Sequence, residues 1–202
     1  MSTRRLIIGI TGASGAAYGI RALELARAAE VETHLVVSRS ALLTLNQELG
    51  LQKADLEGRA DVIYPVADIG ATIASGSFRT MGMLIAPCSV RTMSEIATGV
   101  TSTLMSRAAD VVLKERRRLV LMLRETPLHL GHIETMGALT RTGAIIMPPV
   151  PAFYAKPQSI EELVTHSSAR ALDLFDIDTG AIRRWGGLKG SLMEDTSDPR
   201  AS

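Results

Sequence analysis

Several short segments of this chain combine residue types that can hold an anion or move a proton. The first is Thr11-Gly12-Ala13-Ser14-Gly15-Ala16, which follows an apolar run and opens a helical pattern. Glycine permits close backbone approach, and hydroxyls beside the unbonded amides of a helix start suit a phosphate. The spacing differs from the dinucleotide fingerprint, which needs a glycine where Ser14 stands. No acidic residue ends the second apolar run to hold an adenosine ribose, because Ser38 and Arg39 stand there. NAD is therefore disfavoured and a mononucleotide phosphate gains. The same turn also occurs as a plain strand-to-helix connection, so other loops must decide.

A hydroxyl-rich turn, Pro87-Cys88-Ser89-Val90-Arg91-Thr92-Met93-Ser94, opens another helical pattern. Ser89 and Thr92 there suit either a helix cap or the polar edge of a ligand. Cys88 has no histidine near it in sequence and reads as a small buried apolar residue. Arg124-Glu125-Thr126-Pro127 follows an apolar strand directly, which places a charged pair on a loop stiffened by proline; the alternative is a surface ion pair. Four prolines between Pro148 and Pro157 form a stiff wall that can present Phe153 and Tyr154 with little entropy to lose. Arg107 and Lys114 are seven residues apart and share a helix face. The run 115–118 reads as the solvated end of that helix. Arg170 and Trp185 carry no signal alone, and His129, His132 and Glu134 are thin support for a metal site.

These loops need a scaffold. Apolar β-rich runs at 5–10, 32–37, 83–86, 119–123 and 144–147 read as buried parallel strands. Helical patterns separate or follow them at 16–29, 40–49, 92–97, 102–118, 133–142 and 160–175. The alternation predicts an α/β class: a doubly wound, Rossmann-like parallel sheet flanked by helices, with ligands beyond the carboxyl ends of the strands. Residues 50–80 lack a clean period and are expected to hold one short strand near Val62 and a mobile segment. Residues 1–187 are expected to form a single domain, and 188–202 a disordered tail.

Composition agrees with one domain: 202 residues, of which 46% are hydrophobic and 21% charged, suffice for a full core. A net charge of +1 and no basic run interleaved with aromatics argue against nucleic acid. One cysteine excludes an internal disulfide framework and fits a reducing compartment, so the cytoplasm is expected. The apolar stretch at 6–10 is too short for a signal core or a membrane span, so no membrane partner is expected.

Taken in order across residues 5–187, the segments TGASGAAYG, APCSVRTMS, ATGVTSTLMSRAADVVLKERR, LVLMLRETP, PPVPAFYAKPQS and RRWG resemble the UbiX/Pad1 family of flavin prenyltransferases. The resemblance implies a homo-oligomer, usually a dodecamer, that binds flavin mononucleotide (FMN) and dimethylallyl phosphate without a metal. It further implies transfer of the dimethylallyl group to N5 and C6 of reduced FMN, giving prenylated FMN for a UbiD-type decarboxylase. Carried over by motif, Gly12, Ala13, Ser14, Ser38, Ser89, Val90, Arg91, Thr92 and Arg124 correspond to FMN positions. Tyr154 and Arg170 correspond to prenyl-phosphate positions, and Lys114 and Arg124 add positive charge. Arg107 and Trp185 are candidates for contacts that cross a subunit boundary. The chemistry then calls for a cationic clamp on the leaving phosphate from Lys114, Arg124, Tyr154 and Arg170. Glu125 would move a proton, with Ser14 as relay and Glu48 as a second carboxylate.

Three rivals stand beside this reading. An FMN-dependent cysteine decarboxylase would carry asparagine where Arg91 stands in the loop at 87–92. An FMN-binding subunit or carrier in an aromatic-acid decarboxylase system would have no use for the second ligand pocket that Arg124, Glu125 and Tyr154 suggest. A short-chain dehydrogenase fails on its glycine spacing, and Lys156 lies two rather than four residues after Tyr154.

Overall fold

The central strands are apolar on both faces, and that property sets the architecture. The computed structural model describes residues 4–182; Trp185 and the expected tail at 188–202 lie outside the described residues. The strands are β1 (Arg5–Ile10), β2 (Glu32–Val37), β3 (Val62–Tyr64), β4 (Gly82–Cys88), β5 (Arg118–Leu123) and β6 (Ile145–Ile146). They pair in parallel throughout, in the order β3-β2-β1-β4-β5-β6. The helices are α1 (Ala16–Ala28), α2 (Arg39–Leu49), α3 (Val90–Thr98), α4 (Leu104–Lys114), α5 (Leu130–Thr142) and α6 (Ile160–Asp173). The doubly wound α/β class expected from the sequence is the one observed.

Alternation along each strand supplies two cores. Leu6, Ile8 and Ile10 of β1 join Leu84 and Ala86 of β4 under α1, α2 and α6, while Ile7, Met83 and Ile85 face α3, α4 and α5. Both sets are covered, so the strands read as unbroken apolar runs. Among the described residues no helix is long and apolar enough to cross a membrane.

Three expectations need correction. The helix predicted at 102–118 ends at Lys114, Arg116 takes a positive φ of 56°, and Arg118 already belongs to β5. The chain must reverse there to enter the sheet, and a left-handed residue makes the turn. The run 115–118 is also no simple solvated end, because the Arg117 guanidinium donates to the carbonyls of Gly76 (2.9 Å) and Phe78 (2.5 Å). Residues 50–80 do contain the short strand, but the remainder is organised by 3-10 turns at Ala54–Leu56 and Thr72–Ala74. Ile73, 1% exposed, pins the second turn to the core beneath α4.

Helix α1 crosses β4 at Gly19. A methyl group there would sit 2.3 Å from the carbonyl oxygen of Ala86 and 2.7 Å from the side chain of Ile10. Alanine within a helix is favoured over glycine by about 1 kcal/mol, whereas forcing a carbon into a packed core costs about 1–3 kcal/mol. Because the nearest atom is backbone and cannot swing away, the second effect should win. Gly19→Ala is expected to lose up to about 2 kcal/mol net, read as a lower urea midpoint; a higher midpoint would show that α1 does not bear on β4 there.

Candidate functional site

Strand order reverses between β1 and β4, and the loops leaving these strands are tied together by one buried hydroxyl. Thr11 Oγ1, in a residue 1% exposed, donates to the Pro87 carbonyl at 2.7 Å and accepts from the Ser89 amide at 2.8 Å. The sequence marks Thr11 only as the first residue of the phosphate-suited turn; its tying role comes from its place at the end of β1, where its amide also donates to the Pro87 carbonyl at 3.3 Å.

Two helix starts open beside this tie. Ser38 caps α2 by accepting from the Ala41 amide at 3.1 Å, and Ser89 caps α3 by accepting from the Thr92 amide at 3.3 Å. Between them lies a cavity of about 520 Å³ whose lining includes Ser38, Arg39, Ser40, Ser89, Arg91 and Thr92. Arg91 is 82% exposed and pairs with Glu95 at 3.0 Å. Helix N-termini carry unbonded amides and a partial positive charge, and two arginines add to it. The size and charge suit a mononucleotide with its phosphate.

The first helix start differs from expectation. Its amides are not open to a ligand phosphate: the Glu48 carboxylate, reaching over from α2, accepts from the Gly15 amide at 3.1 and 2.9 Å and from the Ala16 amide at 2.9 Å. Gly12 likewise answers to packing, since a Cβ there would lie 2.4 Å from Ser40 Oγ. Partial desolvation would raise the Glu48 carboxyl; hydrogen bonds from the Ser14 hydroxyl and the two amides, with the charge of Arg124, outweigh it and hold the group below the usual carboxylate range. Ser14, Glu48 and Arg124 are thus brought together. Arg124 follows β5, its amide donates to the Cys88 carbonyl at 3.1 Å, and its Cδ is 3.9 Å from the Cβ position of Gly15. Burial raises the phenol of the neighbouring Tyr18, against the opposing charge of Arg124.

Other residues are placed as follows. Glu125 is exposed, its carboxylate accepts from the Thr126 amide at 2.9 Å, and among the described residues no ion pair joins it to Arg124. Cys88 is fully buried and burial pushes its thiol up to about 12, which disqualifies it as a nucleophile at neutral pH. Ala13 and Val90 lie in the loop after β1 and the first turn of α3. Beyond β6, a second cavity of about 250 Å³ is lined by Tyr154 and Arg170, with Met147, Pro148, His166 and Ser167. Arg170 also pairs with Asp173.

Lys114 is not brought to Arg124. It ends α4 and pairs with Glu115 at 2.5 Å, immediately before β5, whereas Arg124 follows β5. A strand of six residues separates them by about 20 Å, so one chain alone cannot form the four-residue clamp. Arg107, a turn into the same helix, pairs with Asp110 at 3.0 Å. The rings of His129 and His132 stack at 3.6 Å, and among the described residues no group of three potential ligands surrounds a metal position.

Comparison with known proteins matches residues 1–172 to the family model described as Flavoprotein. A flavin prenyltransferase UbiX from Neisseria meningitidis is 55% identical over 185 residues, covering 92% of this chain and 98% of the relative. A crystal structure of AnUbiX (PadA1) in complex with FMN and dimethylallyl pyrophosphate superposes with a TM-score of 0.89 at 49% identity, covering 91% of this chain and 98% of that one. A dodecameric FMN-dependent UbiX-like decarboxylase from Escherichia coli O157:H7 gives 0.88 at 47% identity, covering 91% and 100%.

Glu48→Gln should remove the charged cap from α1 and cost about 1 kcal/mol at neutral pH. The unfolded carboxyl keeps its ordinary value of 4.5 and the folded one is lower, so the unfolded chain binds the extra proton between the two. The stabilisation is complete above the unfolded value and fades as pH falls through the folded one. Urea titrations between about pH 6 and about pH 3.5 should therefore show a shallower loss of stability in the variant than in the parent; parallel curves would rule out the charged cap.

Proposed function

This chain belongs to the Flavoprotein family and, within it, to the UbiX flavin prenyltransferases, and on that premise we propose that it joins the dimethylallyl group of dimethylallyl phosphate to N5 and C6 of reduced FMN. The observation that carries the reading is the cavity of mononucleotide size at the starts of α2 and α3, with Ser14, Glu48 and Arg124 brought together at the start of α1, whose loop packs on Ser40 of the cavity wall through Gly12. FMN would be held by Gly12, Ala13 and Ser14 of the first loop, Ser38 at the start of α2, and Ser89, Val90, Arg91 and Thr92 at the start of α3, with Arg124 closing one side. The reduced flavin supplies the nucleophilic nitrogen and carbon.

The protein's task is then to make phosphate leave and to take protons away. As the ester C–O bond breaks, its electron pair departs on the phosphate, which needs cations and hydroxyl donors already in place. Arg124, Tyr154 and Arg170 provide them from one chain. Lys114 and Arg107 serve from a neighbouring copy, because α4 directs Lys114 away from Arg124 in its own chain. Trp185 is assigned to the wall of the prenyl pocket together with the Tyr154 ring. Glu48, held ionised by its hydrogen bonds, suits a proton acceptor working through Ser14. Glu125 suits the proton donor to the departing phosphate.

Exposed apolar side chains at Leu128, Leu130, Ile133, Val150 and Phe153 support assembly into a homo-oligomer, a dodecamer by analogy with the relative. The product would serve a UbiD-type decarboxylase, and the lone, reduced Cys88 supports a cytoplasmic setting. An FMN carrier is the alternative.

Incubating the protein anaerobically with reduced FMN and dimethylallyl phosphate should add one five-carbon unit to the mass of the extracted flavin. Arg124→Ala and Glu125→Gln should each slow that gain by about 100-fold or more. Full occupancy by unmodified FMN, with the pyrophosphate donor failing as well, would leave the carrier as the reading.

A further inference from the structure

The cavity of about 250 Å³ beyond β6 holds Tyr154 and Arg170, which the proposed function uses, and His166, which it does not. His166 and Arg170 are four residues apart on α6, so their side chains rise from one face of a rigid helix. Tyr154 comes from the 3-10 turn Phe153–Ala155. Its hydroxyl oxygen is 3.5 Å from His166 Nε2, at the long end of hydrogen bonding. The rings meet edge to face, with centroids 5.9 Å apart and planes at 83°, an arrangement aromatic pairs favour.

The backbone beneath Tyr154 is a much shorter element than α6. It sits in a single 3-10 turn, Phe153–Ala155, followed by Lys156 at a φ of 50°, and Tyr154 is 44% exposed. The imidazole reaches the phenol from α6, a longer and more regular element than the turn.

We propose that His166 is a positioning residue for Tyr154: its Nε2–H donates to the phenol oxygen, which holds the phenol toward the cavity that Arg170 also lines and leaves the single phenol O–H to donate to the phosphate of the prenyl donor. The proposal rests on the reading of Tyr154 and Arg170 as donor-phosphate residues. It requires no contact between the imidazole and the donor. Losing one hydrogen bond of this kind weakens binding by about three- to tenfold, and the loss should fall on the donor alone, since the FMN cavity is built from other loops.

The test compares the parent enzyme with His166→Phe, His166→Gln, Tyr154→Phe and the double variant Tyr154→Phe/His166→Phe, using reduced FMN and dimethylallyl phosphate. His166→Phe keeps a ring against Tyr154 but has no nitrogen. It should raise the KM for the donor about three- to tenfold and leave kcat within about twofold, with FMN affinity and Tm unmoved. His166→Gln, which retains a side-chain amide, should recover part of the loss. In the Tyr154→Phe background, His166→Phe should have no further effect. An equal effect in both backgrounds, a silent His166→Phe beside an impaired Tyr154→Phe, or a loss shared by FMN affinity and Tm would each overturn the positioning role while leaving the donor-site reading intact. Should Tyr154→Phe itself leave the donor KM unchanged, the donor-site reading falls and this proposal with it.

Discussion

The Thr11 hydroxyl sits where the sheet changes direction, and the arrangement of the candidate site follows from what it joins. Neighbouring parallel strands diverge at their carboxyl ends, which opens a crevice at the reversal between β1 and β4. Left to themselves the two loops there would move independently. By donating to Pro87 and accepting from Ser89, Thr11 makes one rigid body of the first loop and the start of α3. Ser89 is then fixed as the cap of α3 and Arg124 as the donor to Cys88. A hydroxyl can do this because it both gives and accepts a hydrogen bond in a place with almost no water.

A second constraint is electrostatic. A strand-to-helix turn with free amides attracts anions, and this chain supplies its own: Glu48 fills the start of α1. The starts of α2 and α3 are not filled in this way: there the caps are serines, and Arg39 and Arg91 stand nearby. The bonds at the start of α1 hold Glu48 in its ionised form, next to Ser14 and within the field of Arg124. One exposed carboxylate therefore both fills a helix start and is kept ionised by it.

The path of α4 sets Lys114 and Arg124 at opposite ends of β5. It enters near β3, where the Leu104 amide donates to the Val66 carbonyl at 2.9 Å, and runs against the strand direction to Lys114. A helix between parallel strands must do so, because the chain has to return to the start of the next strand. Any role for Lys114 beside Arg124 therefore belongs to a second copy. The apolar side chains left uncovered on α5 and on the proline-rich loop agree with such a copy.

Much of this was legible in the sequence. Strand and helix alternation gave the fold class, because a sheet buried on both faces needs apolar strands and amphipathic connections, and such periodicities are local. The loops that carry Ser14, Ser38, Ser89 and Arg124 could be found for the same reason: each directly follows a strand. What was not legible depended on partners distant in the chain. That Glu48 meets Gly15, 33 residues away, that Gly12 makes room for Ser40, and that Thr11 ties to a loop 78 residues on are decided by how α2 and β4 lie against β1. Lys114 shows the converse. Its motif named it, yet only the direction of α4 revealed which side of the sheet it occupies, since motif spacing records order along the chain and carries no information about the end of a strand at which a side chain is delivered.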